Sequence, residues 1–319
     1  MKEKVSVIVP VYNNTDTIKE TLNSLIKQKY QNVEIIVVDD CSTDDTYDFV
    51  KHHYGDVAKV IRSDSNRGPG GARNLGIRES NGNYILFLDS DDIIMPDCIE
   101  VLVSSALKCG SDLLLCDYGK FTTYEEIMDE IDEGEVFDPV SISKFDFLRI
   151  HGYAPWGVLI KKGLIDDSLF PENVIAEDIY STPLLLSEAS SVFYLKKELF
   201  KYKVEQRNSI TSNIDKHNRA IIYSLNKLNN EKKIDNEILH YVNLLLIRYL
   251  YIKGETVGNI SISDEIASLG YKHRGENYIL SIELFLTSLY IKTKVKYFLK
   301  LMLVIRKSVE FIFNKRKNN

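Results

Sequence analysis

Three stretches of the chain are mostly apolar and end on polar or acidic side chains: VSVIVPVY at 5–12, VEIIVVDD at 33–40 and YILFLDSDD at 84–92. Strands that are apolar along their length have to be covered on both faces. When they alternate with helices they belong to a mostly parallel sheet. The segments between them supply the helices. Thr15 or Thr17 starts a helix that carries Ile18, Leu22, Leu25 and Ile26 on one face. Residues 44–54 read as a second helix, AKVIRS at 58–63 as a short strand, and the glycine-rich NRGPGGARNLGI at 66–77 leads into a third helix. A helix at 96–108 and a strand at SDLLLCDYG, 111–119, complete the α/β rhythm.

After Gly119 the rhythm breaks. Residues 122–140 are acidic and read as a loop or hairpin, SKFDFLRI as a helix, WGVLI at 156–160 as a short strand and 177–189 as a helix. From about 216 onward the pattern is helical throughout. The expected division is a sheet domain at 1–215 and a helical region at 216–319.

In open α/β sheets, ligands bind beyond the carboxyl ends of the strands. Three polar groups fall at such ends: Tyr12-Asn13, Asp39-Asp40, and Asp89-Ser90-Asp91-Asp92. An aspartate after a strand is commonly a turn former or a helix cap, and Asp92 fits that role. Three such ends in one sheet favour a shared ligand site. Crowded carboxylates repel, and Mg²⁺ or Mn²⁺ relieves the repulsion through hard oxygen ligands that also bridge to phosphates. RGPGGARN lacks both the GxGxxG spacing and the P-loop lysine, so neither a Rossmann dinucleotide site nor a P-loop is supported. As a bare glycine-rich turn it remains a candidate phosphate cradle. The six histidines are too dispersed for a zinc site, and the four cysteines show no paired metal-ligand spacing.

Together, VSVIVPVYNN, IIVVDDCSTDDT, NRGPGGARNLGI and YILFLDSDD resemble the inverting family 2 glycosyltransferases of bacterial surface-polysaccharide type, in order and in spacing. The likeness is dense over 4–118. It thins to PWGVLIKK, AEDIY and EQRNSIT before ending near 212. The resemblance implies a GT-A fold, Rossmann-like, with helices on both faces of a mostly parallel sheet and a helical region after it. It implies a UDP-sugar donor and a Mn²⁺ or Mg²⁺ ion. Asp91 would be the surest metal ligand, and Asp89 would face the metal or the ribose, with Ser90 between them in the DXD motif. Asp40 would bond the uracil N3–H, Pro10 and Tyr12 would line the base pocket, and Arg73 would lie against the nucleotide or diphosphate. Asp178 matches the catalytic base, with Glu177 beside it. Trp156 resembles an aromatic near the acceptor, and Arg207 a loop residue reaching the diphosphate. For Arg73, Trp156 and Asp178 the plain alternatives are a surface arginine, core packing and an acidic first helical turn.

Composition narrows the partners. A net charge of −6 argues against general nucleic-acid binding. The charge is uneven: 291–319 carries nine Lys/Arg and one Glu. As a helix this tail puts Val295, Phe298, Leu299, Met302, Ile305, Val309 and Ile312 on one face, beside Lys292, Lys296, Lys300 and Lys307. It reads either as a core or dimer helix or as an interfacial helix on an anionic leaflet, where a lipid-linked glycan acceptor would diffuse. The apolar run at the start is too short for a signal peptide, and no stretch of about 18 uninterrupted apolar residues spans a bilayer. The expected location is cytoplasmic, with peripheral attachment to the inner face of the membrane. Two rival readings are a non-catalytic nucleotide-sugar or glycan-binding module and a sugar-phosphate nucleotidyltransferase. The latter is disfavoured because VYNNTDT, not a glycine-rich loop with a basic residue, follows the first strand.

Overall fold

The computed structural model describes residues 3–126, 138–204, 214–243 and 245–246. Arg207 and the tail 291–319 lie outside the described residues. Contacts divide the chain into two compact units, Met1–Leu239 and His240–Asn319. The sheet lies wholly in the first.

The elements run β1 (Val5–Val11), α1 (Ile18–Ile26), β2 (Val33–Asp39), α2 (Thr46–Tyr54), β3 (Lys59–Arg62), α3 (Gly68–Arg78), β4 (Tyr84–Phe87), β5 (Ile93–Ile94) and α4 (Cys98–Cys109). They continue with β6 (Leu113–Phe121), β7 (Val140–Ser141), α5 (Lys144–Ile150), β8 (Val158–Lys161), α6 (Asp178–Glu188), β9 (Val192–Lys203) and α7 (Ile214–Asn229). One sheet takes the order β3-β2-β1-β4-β8-β6-β9-β5, with β7 added to β9. β3, β2, β1 and β4 are parallel. β8 runs antiparallel to both β4 and β6, which returns β6 and its parallel partner β9 to the first direction. The sheet is therefore mostly parallel, and the carboxyl ends of β1, β2, β4 and β6 open on one edge.

The apolar strands are buried as their composition demands. Every residue of β1 and β4 is buried, and Val7, Val9, Val37, Leu86 and Leu114 share one core with Leu22 and Leu25 of α1. On the opposite face, α3 packs so closely on β1 that a Cβ at Gly76 would overlap Ile8 Cγ2. Gly76→Ala is expected to force the two elements apart and destabilise the fold by about 1–3 kcal/mol. Chemical denaturation would measure this, and an unchanged midpoint would show that the contact yields freely.

One expectation changes. Asp92 is no solvated helix cap: it is 1 % exposed, and its Oδ1 accepts the Lys203 backbone N–H at 2.9 Å, which pins the end of β9. Thr17 starts the first helix as its N-cap, and its one hydroxyl proton is shared between Asn14 Oδ1 at 2.6 Å and the Ser90 carbonyl at 3.1 Å, with no bond to the helix backbone.

Candidate active site

At the shared edge, short polar side chains tie the strand ends together. Asn13, after β1, takes a left-handed conformation (φ 48°), and so does Cys41 after β2 (φ 62°). Asn13 N–H donates to Ser42 Oγ at 3.0 Å, and Asn13 Oδ1 accepts from Thr43 N–H at 2.8 Å. Asn14 reaches the third strand end, donating through Nδ2 to Ser90 Oγ at 2.8 Å, while Thr17 donates to the Ser90 carbonyl at 3.1 Å. Ser90 is thus held by the loop after β1. Tyr124, just past β6, donates to the Asp91 carbonyl at 2.9 Å. Asn14, Thr17, Ser42 and Tyr124 were not predicted from the sequence as site residues. The one signal for the first was its place beside the Tyr12-Asn13 strand end.

Tyr12 is 46 % exposed at this edge, and Pro10 is buried in β1 beyond its last pairing with β4, Ile8–Phe87. Asp40 is buried, and its Oδ1 accepts the Arg67 N–H at 2.9 Å. Burial raises its pKa, and the backbone N–H groups of Arg67 and Gly68 partly oppose this. Asp40 therefore anchors the start of the glycine-rich segment.

Arg73 is buried rather than on the surface, and it reaches the β4 strand end. It is 4 % exposed, with Nη2 donating to Asp89 Oδ1 at 2.8 Å and Nη1 to Glu177 Oε1. Burial alone would loosen its proton, but the charges of Asp89 and Glu177 outweigh burial and hold it more firmly. Glu177 N-caps α6, and Asp178 is the first residue of that helix. Ala176 before them is left-handed (φ 60°), a conformation that costs an alanine about 1–2 kcal/mol. Ser224 of α7 donates to the Ala176 carbonyl at 3.2 Å. Asp178 Oδ1 accepts the Ile179 N–H at 2.9 Å. Its pKa is pushed up to about 7, first by burial and then by the Glu177 charge, with Arg73 pulling the other way.

Trp156 is 9 % exposed and packs into an aromatic cluster. It stacks on Tyr202 (centroids 5.3 Å apart, planes 16°) and meets Tyr118 edge-on at 4.8 Å. His151 Nε2 lies 2.7 Å from the Trp156 carbonyl oxygen. The ring is therefore packed among aromatic side chains of β6 and β9.

No group of three His, Cys, Asp or Glu side chains poised for a metal occurs among the described residues. The donor chemistry at the β4 turn still fits a hard divalent ion that takes other ligands from phosphate and water. Asp92, buried beside Asp89 and Asp91, has its pKa raised well above the ordinary value, first by burial and then by those two charges; its Oδ2 has no hydrogen-bond partner. Three carboxyl groups are thus crowded at one turn, an oxygen donor set of the kind a hard cation takes.

The model of glycosyl transferase family 2 matches residues 6–166. The chain belongs to this family. Relatives include the glycosyltransferase GlyA of Streptococcus pneumoniae, 31 % identical over 215 residues, which cover 64 % of this chain and 31 % of GlyA. An Escherichia coli relative, the UDP-Glc:alpha-D-GlcNAc-diphosphoundecaprenol beta-1,3-glucosyltransferase WfgD, is 32 % identical over 210 residues, covering 66 % of this chain and 80 % of WfgD. The chain spans about a third of the length of GlyA and of an uncharacterized Rickettsia bellii glycosyltransferase, 31 % and 36 % respectively. S. aureus TarS residues 1–349, crystallised with UDP-GlcNAc, superposes with a TM-score of 0.63 at 23 % identity, covering 90 % of this family 2 chain and 81 % of TarS 1–349. That likeness supports the GT-A fold.

Proposed function

We propose that this family 2 chain moves a sugar from a UDP-sugar to a hydroxyl of a glycan acceptor, with inversion, in bacterial surface-polysaccharide synthesis. The observation that carries the reading is the placement of Asp178: it opens α6 just after the left-handed Ala176, and its neighbour Glu177 bonds Arg73, which reaches Asp89 at the end of β4, while burial and the Glu177 charge push its pKa up to about 7. A base that works at neutral pH needs such a pKa. Asp178 takes the proton from the acceptor hydroxyl as its oxygen attacks the anomeric carbon. Glu177 stays on Arg73 and keeps the neighbouring charge compensated. Tyr12 offers an exposed ring to the uracil, with Pro10 beneath the pocket and Asp40 as acceptor for N3–H.

Asp91, with Asp89, would hold Mn²⁺ or Mg²⁺, whose chemistry here is to offset the charge that develops on the departing diphosphate. Ser90, fixed by Asn14, sets the angle between the two carboxylates. Trp156 acts at a distance, as packing behind the acceptor side, and Arg207 remains a candidate for the diphosphate.

The WfgD name motivates a lipid-linked acceptor. The proposed division at 215/216 leaves the basic tail 291–319 to hold the protein at an anionic membrane face. No helix among the described residues is long and apolar enough to cross a membrane. A screen of UDP-glucose, UDP-galactose, UDP-GlcNAc, UDP-GalNAc and GDP-mannose for nucleotide release, with and without Mn²⁺, tests the reading. One UDP-sugar should be turned over well above the rest, and only with metal. Turnover of GDP-mannose alone would overturn the donor assignment, and no turnover with lipid-linked acceptors present would favour a binding module.

A further inference from the structure

The glycine-rich stretch reads in the sequence as a phosphate cradle, yet its polar side chains turn toward protein. Asn74 grips one residue's backbone from both sides: Nδ2 donates to the Phe170 carbonyl at 2.7 Å, and Oδ1 accepts the Phe170 N–H at 3.0 Å. The Asn173 N–H donates to the Arg67 carbonyl at 2.6 Å. Gly70 sits so close that a Cβ there would overlap the Pro171 carbonyl oxygen. The first turns of α3 are thus a seat for the segment 170–177 that leads into Asp178.

Arg73 lies at the centre of this seat. Its guanidinium packs over the Phe170 ring at 5.6 Å, with one amino group on Glu177 and the other on Asp89 at 2.8 Å. A planar fork can bond two carboxylates at a fixed separation, whereas a lysine has one point charge to share. Stability alone does not account for such a group, because buried ion pairs add little over apolar packing of similar volume.

We infer that Arg73 is a positioning residue for sugar transfer, fixing the Glu177-Asp178 step against the Asp89 turn so that base and donor stay in register. The inference rests on the reading of Asp178 as the base. The test uses the full chain, Arg73→Met and Arg73→Lys, and whichever UDP-sugar gives the highest UDP release in the donor screen. Donor affinity, kcat, its pH profile and the melting temperature are measured for each variant.

Arg73→Met should lose roughly 100-fold or more in kcat, the scale of an ångström-sized misplacement, with donor affinity within about threefold. The rising limb of its pH profile should move to higher pH, because the Glu177 charge then acts on Asp178 uncompensated. Arg73→Lys should recover part of kcat and bring the limb back toward the wild-type position. A purely structural arginine would lower the melting temperature and leave kcat of the folded protein and the limb unmoved, which overturns the inference. So does a loss confined to donor affinity. If Arg73→Met does not fold, Arg73→Lys decides: wild-type kcat and limb overturn the inference, and a lowered kcat with a shifted limb supports it. Asp178→Asn separates the two readings. If it transfers normally, the base assignment and this inference both fall; if it is inactive while the Arg73 variants match wild type, this inference alone falls.

Discussion

Asp178→Asn is expected to slow transfer by about 10²–10⁴-fold while leaving UDP-sugar affinity nearly unchanged, because a general base acts only in the transition state. The wild-type kcat should rise with pH through about 7, the value to which burial and Glu177 push the Asp178 carboxyl. The variant should lose that limb. A stability effect of opposite sign accompanies the loss. An aspartate whose pKa is raised on folding binds its proton more tightly in the native state. The native state is therefore favoured below the unfolded pKa, near 4, and loses that advantage as pH rises to about 7. Asparagine carries no charge to bury. At about 1.4 kcal/mol per pKa unit, Asp178→Asn should therefore be more stable than wild type by up to about 4 kcal/mol at pH 8, with a melting temperature raised by roughly 10 °C, and should show little gain at pH 4. A variant that transfers normally, or is destabilised at pH 8, would move the base to Glu177.

Asp91→Ala should abolish the metal-stimulated part of UDP release, a loss of about 100-fold or more. Of the neighbouring carboxylates, Asp89 bonds Arg73 through Oδ1, and Asp92 is buried against the Lys203 N–H. Asp91 is partly exposed at the strand end. Its loss should not unfold the protein, since it removes one of the two charges that press on Asp92. Full activity in Asp91→Ala, or undiminished wild-type activity in EDTA, would sink the metal assignment.

The parallel half of the sheet was legible in the sequence because β1, β2 and β4 are apolar nearly throughout and end on the residues that face the open edge. β9 was not. Its sequence, VFYLKKELFKYK, carries four lysines and follows no simple alternation. Lys197 is nonetheless buried, against Asp97 at 2.9 Å, and Lys201 pairs with Glu198 at 2.6 Å. For Lys197 the partner lies 100 residues away in the chain, and no local pattern announces such a partner. The same holds for Arg73: Glu177 is 104 residues away, so a short-range reading left a ligand contact or a surface arginine as the choices. Trp156 belongs to this class too, since its ring neighbours Tyr118 and Tyr202 come from β6 and β9.

The lacing of the strand ends has a thermodynamic consequence. Asn13 joins the loop after β2, Asn14 and Thr17 hold Ser90, and Asp40 holds the Arg67 N–H, all through contacts within the chain. A loop that becomes ordered only on binding subtracts its lost freedom from the affinity. Here much of that loss is already met by folding. A donor arriving at this rim therefore spends little of its interaction energy on ordering it, and more of that energy remains for differences between the bound sugar and its transition state.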